Sequence, residues 1–195
     1  MNGRASKKTE WSKRGRKPGT YRHIVTGNVN GKSVVQGDEP LRAYEFKTVP
    51  GYEHTLIWVN AASPDLRKEQ RFASYPGSVV PGPGGTSLHF VTFTPGSVFA
   101  DPSFDAKAAP EEALVRLRGL AEHFEKEDPG THKTNTVDHA VVYDTEMWPE
   151  LNDGETLHLQ RGDVLVQNGT RHEWRNKGPK PVTSVFFLSR AGERQ

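Results

Sequence analysis

Short stretches of alternating apolar and polar residues, punctuated by Gly and Pro, dominate this chain. Residues 22–26 and 32–36 flank Gly27-Asn28-Val29-Asn30-Gly31, a run that predicts a turn between two paired strands. Residues 42–47 and 53–60 read as two further strands parted by Pro50-Gly51, and β-branched and aromatic side chains enrich the second. Residues 61–85, charged around 67–71 and then rich in Pro and Gly, predict a surface loop near a rim. A strand resumes over 86–94. The period then changes to 3.6: Pro110, Glu111 and Glu112 suit the start of a helix, and Leu114, Leu117, Leu120, Ala121 and Phe124 form one apolar stripe. One amphipathic helix is predicted over 110–127, stopped by Asp128-Pro129-Gly130. Strands follow over 138–143, 156–160, 163–167, 171–175 and 182–189, with Trp174, Tyr143, Phe186 and Phe187 as core aromatics. Many short strands with one helix predict an all-β barrel or sandwich.

Length changes this picture little: 195 residues suit one domain with extensions. We divide the chain into a flexible basic arm (1–20), N-terminal strands and loops that pack on or extend a barrel (21–105), and a helix with the barrel core (106–195). Charge changes it more. The net +2 conceals an arm in which residues 1–22 carry eight Lys or Arg against Glu10, a net of +7, so the other 173 residues sum to −5. The Arg14-Gly15-Arg16-Lys17-Pro18 run is similar to basic minor-groove tails. A solubilising tail is the expectation, and nucleic acid is not an expected partner, because the acidic body repels phosphate. No apolar run approaches the ~20 residues of a membrane helix, and none follows the basic N-terminus as a secretory signal would require. With no cysteine there are no disulfides or thiolates, which fits a cytoplasmic location and leaves histidine and carboxylate as the metal ligands to consider.

The chemistry concentrates in residues 130–176. His132, Thr134, Thr136 and Asp138 fall at even spacing and share one face of a strand. A strand ending near Arg175 could bring His172 into the same pocket. Two imidazoles and one carboxylate (His132, His172 and Asp138) would hold a divalent metal (Fe, Mn, Ni or Zn) and leave positions open for substrate. In the other reading both histidines are hydrogen-bonded pocket residues that bind an anion without metal. Thr134, Thr136 and Trp174 line the expected substrate pocket, Trp174 sharing the face of His172. His54 and His89 lie on predicted strands as candidate replacement ligands. His139 points away from Asp138, and His123 and His158 read as solvated.

These stretches resemble the paired motifs of the cupin superfamily, small jelly-roll-like antiparallel β-barrels that usually bind metal inside the barrel mouth. Gly169, His172 and Asn176, after a Gly162-Asp163 turn, match the second motif. In the first motif His132 fits the first histidine, Thr134 stands where a second is usual, and Asp138 replaces a glutamate. Thr145 occupies the closing glycine position, and Gln167 stands near the usual proline. The whole chain is similar to single-barrel cupins with a His-x-Thr-x-Thr-x-Asp first motif and a second ending Gly-Thr-x-His-x-Trp. The resemblance implies a homodimer that binds a small molecule in the barrel mouth. It also implies a metal-dependent enzyme of oxygenase, isomerase, decarboxylase or lyase type, acting on a small oxygenated or aromatic metabolite. The alternative is a non-catalytic barrel that binds or senses a small ligand without metal.

Overall fold

The computed structural model describes residues 19–66 and 77–192. All but the last two residues of the predicted basic arm, and the charged stretch around 67–71, lie outside the described residues.

The predicted hairpin is present and longer than its pattern suggests. β1 (Thr20–Val29) pairs with β2 (Lys32–Arg42) across Asn30 and Gly31, whose φ values are 51° and 77°. Two successive left-handed residues make the turn whose twist matches paired strands, and Asn28 Oδ1 accepts the Gly31 N–H at 2.9 Å. The hairpin base packs on the body through Tyr21 against Phe90, with ring centroids 4.3 Å apart.

The body is two antiparallel sheets. β3 (Tyr44–Glu45), β4 (Glu53–Asn60), β5 (Thr86–Phe93), β11 (Val182–Arg190), β6 (Thr136–Val142) and β9 (Val164–Asn168) form the larger sheet, in that spatial order. β10 (Glu173–Arg175), β7 (Glu146–Glu150) and β8 (Leu159–Gln160) form the smaller. The last strand lies between β5 and β6, so it closes the fold through non-local pairing. This is the expected all-β architecture of antiparallel sheets. Its core holds Phe46, Val91, Val142, Met147, Trp174, Phe186 and Leu188 between the sheets. Among the described residues no helix is long and apolar enough to cross a membrane.

Several expectations are corrected. The strand expected over 42–47 is only the two-residue β3, and that expected over 156–160 is only β8. β7 escaped the pattern because Pro149 cannot donate to a ladder and demotes a strand reading. The helix expected over 110–127 is α1 (Ala108–Arg116) followed by a 3₁₀ turn at Ala121–His123. Its stripe is not one buried face: Leu114 is exposed while Leu117 and Ala121 are buried. Tertiary contact ends the helix, because Val79 N–H donates to the Arg118 carbonyl at 2.8 Å and Gly119 turns left-handed at φ 84°, where a Cβ would collide with Ser78 Oγ. The described end of the predicted surface loop is likewise not all surface, since Val79, Val80 and Pro81 are buried. Phe186 and Trp174 are core, but Tyr143 and Phe187 are exposed; consecutive strand residues face opposite sides, so Phe186 inward puts Phe187 outward. Glu112 pins α1 to the body, its carboxylate accepting from Tyr44 Oη, Thr48 Oγ1 and the Lys47 and Thr48 N–H groups.

Candidate functional site

The segment entering β6 and the segment entering β10 meet at two histidines. His132 and His172 are directly opposed, each backbone N–H donating to the other's carbonyl at 3.0 Å. Glycines permit the approach. Gly130 (φ 108°) lies where a Cβ would come 3.0 Å from Glu173 Oε1, and Gly169 (φ 60°) where one would come 3.4 Å from the Thr134 carbonyl. The imidazole centroids are 4.5 Å apart, with the rings inclined by 56°.

Their tautomer follows from their partners. His132 Nδ1 is 2.8 Å from the Gly130 carbonyl and His172 Nδ1 is 2.9 Å from the Thr170 carbonyl. A carbonyl only accepts, so each Nδ1 carries the proton and each Nε2 keeps its lone pair. Burial lowers the pKa of both rings; for His172, burial and then the neighbouring His132 bring it to about 4. At neutral pH the site therefore holds two uncharged imidazoles. Neither Nε2 has a protein hydrogen-bond partner among the described residues.

Ion pairs clamp the two segments together. Arg171 grips Glu125 with two hydrogen bonds of 2.6 Å, and Arg175 reaches Asp128 at 3.1 Å. Thr131 Oγ1 donates to Glu173 Oε2 at 3.0 Å. Burial raises the Glu173 carboxyl to about 7 against the opposing pull of Arg175. Phe124 packs on His132, with centroids 5.4 Å apart, and Trp174 stands edge-on to His172 at 6.4 Å.

The remaining expected site residues face the barrel interior. On and before β6, Thr134, Thr136 and Asp138 are buried, and the two threonine hydroxyls bond each other at 2.6 Å. Burial raises the Asp138 carboxyl above its ordinary value, although Thr136 bonds to it, and its Oδ1 has no partner. The structure thus brings His132 and His172 together. It does not gather Asp138 with them into one ligand set: among the described residues no three His, Asp or Glu side chains form a group that could hold a metal. Trp174 belongs to the apolar core. His139 and His123 are exposed, and His158 stacks on Trp148 while pairing with Glu146 at 2.8 Å.

A second buried histidine pair lies on β4 and β5. His54 Nε2 and His89 Nδ1 are 3.1 Å apart, and His89 Nε2 is 2.7 Å from Ser87 Oγ. Burial lowers His54 to about 4, and burial together with the neighbouring His54 lowers His89 well below its ordinary value. Ser87, not singled out from the sequence, and Gln167, noted there only for its place in the second motif, are buried polar residues. The alternation Ser87-x-His89-x-Val91 carried the signal for the first; Gln167 follows Leu165 at strand period on β9.

No family model matches the chain. It is 32% identical over 175 residues to phomopsin biosynthesis cluster proteins C′ and D of Diaporthe leptostromiformis, covering 86% of this chain and 76% of each relative. Over 62 residues it is 49% identical to oryzines biosynthesis cluster protein J of Aspergillus oryzae, covering 32% of this chain and 35% of that protein. Solved structures of similar outline include an RmlC-like cupin of Shewanella frigidimarina (10% identity, TM-score 0.39, 78% of this chain and 86% of that one). Another is an RmlC-like cupin family protein of Methanocaldococcus jannaschii (10% identity, TM-score 0.35, 54% and 70%). At these scores they bear on neither ligand nor chemistry.

Proposed function

This chain belongs to the family of the phomopsin biosynthesis cluster proteins C′ and D, on a cupin-type barrel, and on that premise we propose that it is a biosynthetic enzyme that binds a small organic metabolite in its barrel and moves a proton on it. The observation that carries the reading is the paired tautomer: two neutral imidazoles, each held by its Nδ1–H and each presenting an Nε2 lone pair. One Nε2 takes a proton from a carbon beside a substrate carbonyl. The imidazolium so formed returns that proton at a second atom. The net result is an isomerisation, or an elimination where a leaving group departs. The low basicity that burial imposes on both rings speeds the proton's return. Biosynthesis-cluster relatives fit a metabolite as substrate.

A metal, expected as Fe, Mn, Ni or Zn on His132, Asp138 and His172, finds two imidazoles whose Nε2 atoms meet no protein partner, and no third ligand gathered beside them, among the described residues. That set falls short of the three protein ligands a catalytic metal usually takes, so no step here is routed through one. The test is to delete the gene in the producing organism, identify the compound that accumulates, and offer it to the purified protein. Metal content is measured alongside. Conversion that falls in His132→Ala and His172→Ala supports the reading. Conversion indifferent to both overturns it, and stoichiometric capture without turnover replaces it with a binding module.

A further inference from the structure

Asp138 on β6 and Gln167 on β9 are direct partners in the antiparallel register. Both side chains face the interior: Asp138 is 7% exposed and Gln167 3%, while their strand neighbours His139, Val166 and Asn168 are exposed. Directly opposed residues have Cβ atoms about 5 Å apart, close enough for a carboxylate and an amide to bond each other. They do not. Asp138 Oδ1, Gln167 Oε1 and Gln167 Nε2 all lack a protein partner. The other polar side chain in this interior row, Ser87, is committed to His89. Buried amides and carboxylates are ordinarily satisfied, so three unpaired atoms on one interior row mark a place where a ligand supplies the complement.

The donor count specifies that complement. Two acceptors (Asp138 Oδ1 and Gln167 Oε1) call for two ligand N–H or O–H donors, and the two Gln167 Nε2 hydrogens call for at least one ligand acceptor. A primary carboxamide offers two N–H donors and one carbonyl on a single planar group. Its carbonyl and one N–H would pair reciprocally with the Gln167 amide, and its second N–H would donate to Asp138 Oδ1. We propose that Asp138 and Gln167 form a recognition site for a primary carboxamide, or the same H₂N–C=O edge of a urea, inside the barrel. This rests on the reading of the barrel interior as the ligand site.

The test titrates the full-length protein with benzamide, benzoate and N,N-dimethylbenzamide, following backbone amide shifts by NMR in wild type and Gln167→Leu. Benzamide should bind at least ~10-fold more tightly than N,N-dimethylbenzamide, which has no donor, with shifts centred on β6 and β9. Gln167→Leu, which leaves Asp138 Oδ1 as the one remaining acceptor, should reduce that preference at least ~3-fold. Because it removes a buried unsatisfied amide at similar volume, it should also raise Tm by roughly 2–5 °C. Equal binding of all three probes in the barrel, or a preference undiminished in Gln167→Leu, overturns the carboxamide assignment and leaves barrel binding standing. Failure of every probe to shift interior residues overturns both. A fall in Tm for Gln167→Leu shows that Gln167 is satisfied by internal water and serves structure.

Discussion

Two histidine pairs sit in one barrel, and their difference lies in what each ring nitrogen touches. In the His54–His89 pair the rings bond each other, at 3.1 Å, and the chain ends on Ser87 Oγ at 2.7 Å. The inner pair is thus a closed relay, with the bond between its rings made inside the protein. In the His132–His172 pair the rings contact each other only by packing. Backbone carbonyls hold both Nδ1–H groups, and both Nε2 atoms are left for chemistry. Both pairs are neutral through burial, so charge does not separate them. The proposed proton transfer uses the pair whose Nε2 lone pairs meet no protein donor among the described residues.

The largest effect expected from this comparison is on turnover. His172→Ala or His132→Ala should lower conversion of the accumulating metabolite by ~10²–10⁴-fold, the usual worth of a positioned acid or base. His54→Gln, which keeps a polar side chain in the inner pair, should change the rate per folded molecule by less than about 3-fold, because that pair contributes to folding and not to the proton transfer. An equal loss in His54→Gln would erase the distinction between the pairs.

Stability should rank them the other way. His89→Ala leaves Ser87 Oγ and His54 Nε2 unpaired in the interior and opens a cavity, at about 2–4 kcal/mol in urea unfolding. His172→Ala strands only a backbone carbonyl and should cost less, about 1–2 kcal/mol.

Acidity offers a third comparison. An unfolded histidine binds its proton near 6.5, whereas folded His172 does so only near 4. In that window the unfolded state holds more protons, so stability is complete above about 6.5 and is lost as pH falls towards 4. The slope is about 1.4 kcal/mol per pH unit for each such group. His172→Gln should flatten the profile by one such group, leaving the contribution of the inner pair. Glu173 has the opposite sign: held near 7 when folded against an ordinary 4.5, it makes the folded state the more protonated, so stability falls as pH rises from 4.5 to 7. Glu173→Gln should remove that decline, as thermal melts across the range would show.

The smallest effect tests what aligns the outer pair. Arg171 and Glu125 are each more than a third exposed, so Arg171→Met should cost less than about 1 kcal/mol of stability. Turnover should nonetheless fall several-fold, because the clamp that brings the two histidine segments together is loosened. Unchanged turnover would show that the reciprocal backbone bonds suffice.

Much of this was legible in the sequence. The Asn30-Gly31 turn, the strand over 53–60, the closing strand near 182–189 and the meeting of His132 with His172 follow from local conformational preference and motif spacing. The outward turn of His139 follows from strand period alone. Three features were decided only by tertiary structure. The helix stops after Arg116 where Val79 N–H bonds the Arg118 carbonyl and Ser78 stands against Gly119, both from a distant part of the chain. β7 forms around Pro149 because β10 and β8 flank it, an arrangement its own residues do not favour. His54 with His89, and Asp138 with Gln167, were brought side by side through strand register, which is set by burial across the whole barrel. Local sequence determines backbone preference and which face of a strand a side chain takes. Which side chains then stand beside one another, and which polar atoms are left without partners, depends on pairings between residues far apart in the chain, and no local pattern encodes those.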